Sequence, residues 1–183
     1  MIAEFITYPP TSQRVARAIA RMNYLHRPYQ ETGKIGNAEL LYTLSVFITE
    51  PERFARLYEW RAMSDFERCA YGVFWKSMGD AMGIQYAREL GDDRVGAWRD
   101  GLGFFDDIAC WAKNFESKNM KPSLVCAKPA RALIPLLLYW VPRFAMGFAE
   151  ECTCVLLGDR AREAFMYVLT NLLLAAIGVL KFL

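Results

Sequence analysis

The chain has 183 residues, 54% of them hydrophobic and 14% aromatic, and its formal net charge is +2. This length fits one domain with a substantial core, and the composition excludes an intrinsically disordered chain. A small net charge without basic runs argues against nucleic acid as a partner. The five cysteines contain no C-x-x-C motif, which favours buried free thiols over a disulfide framework or a metal site.

The first predicted helix carries the only histidine of the chain, His26. The stretch before it, MIAEFITYPP, lacks the basic region and the long apolar core of a secretory signal. Thr11 or Ser12 then provides the N-cap. Spacings of four, three and four residues place a set of side chains on one helix face. This set comprises Val15, Ile19, Met22 and His26.

The helical period continues along the rest of the chain. We expect a turn over 28–37 with Asn37 as a cap, and a loop over 118–129. Ser64 and Glu67 fit a capping box. Helices are predicted over 38–48, from Pro51 to about 60, over 64–84, 93–117 and 130–144 with a break at Pro142, and as a pair from about Ala145 onward. Without convincing strand patterns, the predicted fold class is all-α, one domain over 1–183 with about seven to eight helices.

The last predicted helix, Ala164–Leu180, is apolar except for Thr170 and Asn171. It is slightly shorter than the roughly 20 residues that span a bilayer. Two interpretations stay open over 164–181, a buried terminal helix and a helix in contact with a membrane. In the second, Lys181 would mark the interfacial end.

A single histidine excludes several classes of metal site. Two-His zinc sites, the H-E-x-x-H motif, the 2-His-1-carboxylate iron site and the Glu-x-x-His di-iron bundle all need more than one imidazole. A hydrolytic triad would have to use His26, and no G-x-S-x-G motif accompanies it. Haem needs one protein imidazole and an apolar surface. His26 is therefore either a proximal haem ligand or a hydrogen-bonded histidine of the core.

Charged residues supply further candidates for the site. Lys76 and Asp80 are four residues apart, as in an ordinary helix ion pair or in a buried charge near a reacting centre. Arg21, with Arg17 and Arg27, is either a solvated helix charge or a partner for haem propionates.

Two aspartate pairs suggest a magnesium-dependent enzyme acting on prenyl diphosphates. Both miss the D-D-x-x-D pattern, because the fifth residue of each stretch is not an aspartate. It is Gly96 in the stretch that begins at Asp92 and Cys110 in the stretch that begins at Asp106. We therefore interpret these aspartates as surface charges. The glycine pattern in GLGFFDD is likewise attributed to helix packing, since it lacks the third glycine of a phosphate-binding loop.

Several stretches together resemble the fungal endoplasmic-reticulum-bound oxygenases of mycophenolic acid biosynthesis, a family distantly related to the bacterial rubber oxygenase (latex clearing protein). The resemblance runs from Ser12 to Met166 and is densest over 17–84. The stretches that carry it are AIARMNYLHRPY, LLYTLSVFITEPERFARLYEWR, FERCAYGVFWKSMGDAMGI, WRDGLGFFDDIACWAKNFE and DRAREAFMY.

The resemblance implies a globin-like helical domain that holds haem b and uses O2 to cleave a C=C bond in an isoprenoid or other apolar prenyl-type substrate. It implies that His26 ligates the iron. From their positions in the sequence, we take Arg21 and Met22 as further haem-binding candidates and Lys76 and Asp80 as catalytic candidates. It also implies an oxidoreductase of fungal secondary metabolism, located at the endoplasmic reticulum membrane or a cytoplasmic membrane face.

An alternative follows from one departure from the family pattern. Family members carry an upstream helix with an Arg and a Thr on the distal side of the haem, and this sequence shows no counterpart. The alternative is an N-terminally shortened, membrane-associated helical paralogue without catalytic activity.

Overall fold

The computed structural model describes residues 2–167, and every regular element within them is helical. This confirms the predicted all-α class, with more helices than expected over the described range. The α-helices are α1 Ile2–Thr7, α2 Gln13–Glu31, α3 Asn37–Tyr58, α4 Asp65–Ala81, α5 Tyr86–Leu90, α6 Asp92–Ala97, α7 Gly101–Asn119, α8 Leu124–Leu137, α9 Met146–Leu156 and α10 Asp159–Ala164, with a 3-10 helix at Arg143–Ala145.

The chain divides into two compact units, Met1–Asn114 and Phe115–Leu183. The first unit contains the larger apolar core, which α2, α3, α4 and α7 build. The second unit has a small core around Ile134 and Cys154. The predicted C-terminal helix over 164–180 lies almost wholly outside the described residues, within which α10 ends at Ala164.

Helix α2 begins as the sequence predicts but ends later. The Ser12 side chain accepts a hydrogen bond from the Val15 amide at 3.3 Å, so Ser12 is the N-cap. The helix then continues through Pro28 to Glu31, where a turn had been predicted. At its end the Thr32 hydroxyl donates to the Pro28 carbonyl at 2.8 Å, which supplies a partner for one of the exposed terminal carbonyls.

Helix α3 is continuous, and the predicted separate helix starting at Pro51 is wrong. Pro51 lies inside α3 and has no N–H to donate to the Phe47 carbonyl. Leu44 and Ile48, at 4% and 0% exposure, anchor the helix in the core on the N-terminal side of the proline. Burial of this apolar face outweighs the missing hydrogen bond.

Helix α4 starts with the predicted capping box. The Ser64 hydroxyl accepts from the Glu67 amide at 3.3 Å, and the Glu67 carboxylate accepts from the Ser64 amide at 2.8 Å. Arg61 donates to the same carboxylate at 2.7 and 2.8 Å. The Arg61 guanidinium and then the Ser64 hydrogen bonds hold the pKa of Glu67 far below its usual range.

Two glycines let α4 approach its neighbours closely. A Cβ atom on Gly72 would lie 2.0 Å from the carbonyl oxygen of Gly101, at the start of α7. A Cβ atom on Gly79 would lie 2.0 Å from the Tyr86 hydroxyl and 2.7 Å from Leu44 Cδ2. At Gly72 the contact is with backbone, so only glycine allows the separation of α4 and α7 that the structure has, whereas at Gly79 the Tyr86 and Leu44 side chains would have to shift.

The predicted helix over 93–117 is divided in two. Helix α6 ends at Ala97 and α7 begins at Gly101. The Asp100 carboxylate accepts from the amides of Leu102 and Gly103, each at 3.0 Å, which supplies partners for two N–H groups of the new helix start. Beyond this break, α7 buries Phe104, Phe105, Ile108 and Ala112 in the core.

Helix α8 begins inside the predicted loop over 118–129 and ends before Pro142. Its N-cap is Ser123, whose hydroxyl accepts from the Val125 amide at 3.3 Å. It runs through Pro129 and Pro135 to Leu137. No helix within residues 2–167 is both long enough and apolar enough to cross a membrane.

All five cysteines are free, but the prediction that they are buried holds fully for one of them. Cys154 is buried, Cys69 and Cys152 are half-buried, and Cys110 and Cys126 are exposed.

Candidate functional site

The first unit contains a cavity of about 410 Å³ beside His26. Helices α1 to α4 and the turn before α3 supply its walls, and most of the lining side chains are apolar. They are Phe5, Met22, His26, Ile35, Glu39, Leu40, Thr43, Leu44, Phe47, Trp75, Met78 and Met82. Its volume lies within the roughly 300–1,000 Å³ range of small-molecule sites in proteins.

Helix α2 places Met22 and His26 on the cavity, one helical turn apart. The predicted common face is therefore present, with Val15 buried at its start and Ile19 packed on the core. His26 is half-buried, so its imidazole faces the cavity as a wall residue and is not sealed in the core. The Asn23 side-chain amide donates to the Ala81 carbonyl at 3.0 Å and ties α2 to the end of α4.

The deepest wall is aromatic. Trp75 is 5% exposed, and its ring stacks on Phe47 with centroids 5.1 Å apart and planes 14° from parallel. Phe74 meets the same indole edge-on at 5.2 Å. The indole Nε1 of Trp75 is buried and has no hydrogen-bond partner among the residues described. Leaving a buried N–H unpaired costs about 1–3 kcal/mol.

The polar groups near the cavity are engaged within α3. The Glu39 carboxylate accepts from the Gly36 amide at 2.9 Å, and the Thr43 hydroxyl donates to the Glu39 carbonyl at 2.9 Å. Both side chains are exposed, so the cavity reaches the surface beside them. Apart from these two side chains, the lining is apolar except for the imidazole of His26.

The start of α3 is fixed by Asn37, which is its first residue and not the predicted cap. The Asn37 amide group donates to the Gln85 carbonyl and to the Glu89 carboxylate, each at 2.9 Å. Its oxygen accepts from the Gln85 amide at 2.8 Å. Gly36 is the N-cap instead. These three bonds set the position of the cavity wall that α3 supplies.

Lys76 and Asp80 form the ion pair that their spacing predicts, with Nζ 2.9 Å from the carboxylate. Neither residue lines the cavity, and both side chains are more than a third exposed. The Lys76 ammonium also lies 5.5 Å from the Tyr86 ring centroid. Burial and then the charge of Asp80 raise the pKa of the Tyr86 hydroxyl, which donates to the Lys76 carbonyl at 3.1 Å. A catalytic role for Lys76 and Asp80 stays a prediction.

Lys76→Ala is expected to change the free energy of unfolding by less than about 0.5 kcal/mol, because an exposed i,i+4 ion pair contributes little. Its haem absorbance is expected to match that of the wild type, since Lys76 lies outside the cavity lining. Turnover then decides its role. A fall in kcat that the exposed Lys34→Ala control does not show would support catalysis, and unchanged kcat would exclude it.

Arg21, the remaining haem-binding candidate, lies outside the cavity. It is exposed, and its guanidinium sits 5.5 Å from the centroid of the Tyr24 ring. Of its neighbours, Arg27 pairs with Glu31 at 2.8 Å. Contact of Arg21 with a haem propionate stays a prediction.

The aspartates of the rejected magnesium motif take part in other contacts. Asp106 pairs with Arg68, while Asp107 pairs with Arg94 at 2.7 Å and accepts from the Trp98 indole at 2.8 Å. Among the described residues, no group of three or more His, Cys, Asp or Glu side chains is arranged to hold a metal ion.

Sequence reasoning missed most of the cavity wall. The residues of α3 that face it, Leu40, Thr43, Leu44 and Phe47, recur at three and four residues, and so do Trp75, Met78 and Met82 on α4. Their spacing identifies an inward face. It does not indicate that the two faces leave a cavity between them, because that depends on the distance between the helices.

Comparison with known proteins assigns the family. The catalytic-domain model described as "ER-bound oxygenase mpaB/B'/Rubber oxygenase" matches residues 4–174. The chain belongs to this family. No solved structure shows a significant match.

The similar curated proteins carry the same name. The chain is 39% identical to the ER-bound oxygenase mpaB of Penicillium roqueforti over 168 residues, which cover 92% of the chain and 56% of that protein. It is 38% identical to mpaB' of Penicillium brevicompactum, covering 91% of the chain and 39% of the relative. Against mpaB of the latter species it is 43% identical, covering 67% and 31%. The chain thus spans about half, or less, of the length of these relatives.

Proposed function

We propose that this chain is a haem-dependent oxygenase domain that uses O2 to cleave a C=C bond in an apolar, prenyl-type molecule. One observation carries the proposal: the only histidine of the chain lines an apolar cavity within a domain of an oxygenase family. The details of cofactor and substrate rest on the resemblance and on the chemistry of the cavity wall.

The cavity residues fit haem. His26 offers a ring nitrogen lone pair to iron, and an apolar wall suits the flat apolar face of a porphyrin. Met22, one turn before His26 on the same helix face, would pack beside the ring. Haem bound there would supply the activation of O2 that cleavage of an alkene requires.

The walls select the substrate by burial of apolar surface. Each buried CH2 group contributes about 0.8 kcal/mol, so adding one prenyl unit raises affinity strongly until the cavity is full. Leu44, Met78 and Phe5, all less than 5% exposed, line the inner part of the cavity and keep water from it.

The proposed location is the endoplasmic reticulum membrane. The relatives are named ER-bound, and a prenyl-type substrate partitions into lipid. A domain that takes its substrate from a bilayer needs a surface in contact with it.

The test is oxygenation of a farnesyl-type alkene by the haem-loaded chain under ¹⁸O2. Adding O2 across a C=C bond gives two carbonyl fragments, each carrying one labelled oxygen atom. We expect labelled fragments by mass spectrometry and, per bound haem, an at least tenfold loss in Leu44→Trp, which narrows the cavity. Val73→Trp, an exposed position on the same unit, is the control. Haem binding without labelled fragments would contradict the proposed reaction and favour the non-catalytic alternative.

A further inference from the structure

The second unit exposes a continuous series of large apolar side chains on α8 and the segment after it. Helix α8 buries Ala127 and Ile134, which lie seven residues apart on one face. The opposite face carries Val125 and Leu136, at 80% and 70% exposure. A helix in contact with water normally places polar residues there.

Four aromatic residues continue this exposure after α8 ends. Trp140 and Phe144 are 89% and 92% exposed, and Tyr139 and Phe148 are also exposed. The Tyr139 and Trp140 rings pack edge to face, with centroids 5.1 Å apart. Aromatic side chains of this kind are enriched where a protein meets the interface of a bilayer.

The same segment carries positive charge only. Between Ser117 and Ala149 the sequence contains no aspartate or glutamate, although the whole chain has 20 acidic residues. The basic residues of the segment are Lys118, Lys121, Lys128, Arg131 and Arg143. Of these, Arg131 donates to the Met166 carbonyl at 3.3 Å. The partner of this surface should therefore be both apolar and anionic.

We propose that the exposed side chains of residues 124–148, together with these basic residues, form a surface that lies on an anionic lipid bilayer. A bilayer supplies acyl chains for the apolar side chains and headgroup phosphates for the Lys and Arg residues. A second copy of the chain would bring like charges together. Residues 168–180 of the same chain offer apolar surface but no carboxylate. This inference extends the proposed membrane location, and its test needs neither haem nor turnover.

The first unit offers a matched control surface. Trp60 and Phe66 are 87% and 84% exposed, close to the values of Trp140 and Phe144. Their surroundings are mixed in charge: Glu59, Asp65 and Glu67 are acidic, while Arg61 lies 5.3 Å from the Trp60 ring centroid and pairs with Glu67. Exposure of the aromatic rings is thus similar on both surfaces, but only the segment between Ser117 and Ala149 lacks carboxylate side chains.

The experiment is flotation of the full chain with vesicles of roughly 3:1 phosphatidylcholine to phosphatidylserine, against vesicles of phosphatidylcholine alone. We expect binding to the anionic vesicles and at least tenfold weaker binding to the neutral ones. The double variant W140S/F144S and the charge variant K128E/R143E should each weaken anionic binding about tenfold or more. W60S/F66S should bind as the wild type does.

Other outcomes would overturn the inference. No vesicle binding would do so, and so would equal loss in W60S/F66S. A photo-crosslinking amino acid in place of Trp140 identifies the neighbour directly: crosslinks to lipid support the inference. Crosslinks to residues 168–183, or a dimer in light scattering that W140S/F144S dissociates, would assign the surface to the chain itself or to a second copy.

Discussion

Substitution of His26 by alanine is expected to abolish the protein-bound Soret band that we expect the wild-type chain to show after addition of haem. His26 is the only imidazole in the sequence, and it lines the cavity of the first unit. Removing the ligand leaves apolar packing alone to hold the porphyrin, which we expect to weaken binding at least a hundredfold. Titration followed by absorbance, with circular dichroism as a check of helix content, measures the effect.

Two further variants test whether the loss of haem binding comes from the missing imidazole. In His26→Gly, free imidazole should restore the Soret band, because the added ring can occupy the vacated space. Met22→Ala removes a neighbouring wall residue and keeps the ligand, so its spectrum should keep the wild-type form with weaker binding. A Soret band of wild-type strength and position in His26→Ala would refute ligation by this residue and with it the proposed haem site.

Gly72→Ala is expected to lower the free energy of unfolding by about 3 kcal/mol, a typical upper value for overpacking. The added Cβ would lie 2.0 Å from the Gly101 carbonyl oxygen, so α4 and α7 would have to move apart. The contact is with backbone, which cannot rotate away as a flexible side chain does. Urea unfolding followed by circular dichroism gives the value.

Gly96→Ala is the matched control. Gly96 lies in α6, and a Cβ atom there meets no atom within 4 Å. Alanine in a helix is favoured over glycine by up to about 1 kcal/mol, so this variant should be as stable as the wild type or slightly more so. If both variants changed stability equally, the close approach of α4 and α7 would not be the cause.

Helix type and the helix starts at Ser12 and Ser64 could be predicted from the sequence, whereas helix ends near prolines could not. The caps at Ser12 and Ser64 depend on side chains that bond within three residues, so the local sequence contains the whole signal. Pro28 and Pro51 suggest breaks on local grounds, yet α2 and α3 continue through both. What decides there is burial against other helices, which a local pattern does not reveal.

The candidate site could likewise be predicted from the sequence only in part. Periodicity alone placed Met22 and His26 on one face, and the structure puts both on the cavity. Spacing also paired Lys76 with Asp80, but it could not show that the pair lies away from the cavity. Trp75, the direct chain neighbour of Lys76, is the residue that reaches the cavity. Each position along a helix turns the side chain by about 100°. Lys76 and Asp80 therefore lie on a helix that lines the cavity, but their side chains do not line it.

The proline in α3 also affects how the cavity accommodates bulk. Pro51 has no N–H, so the helical hydrogen bond to the Phe47 carbonyl is missing. The Phe47 side chain forms part of the aromatic wall of the cavity. Helix α4 has no proline beside Trp75, so it loses no backbone hydrogen bond to a proline there and resists bending. The two walls should therefore respond differently to a larger ligand: α3 would bend near Phe47, while α4 would keep its shape.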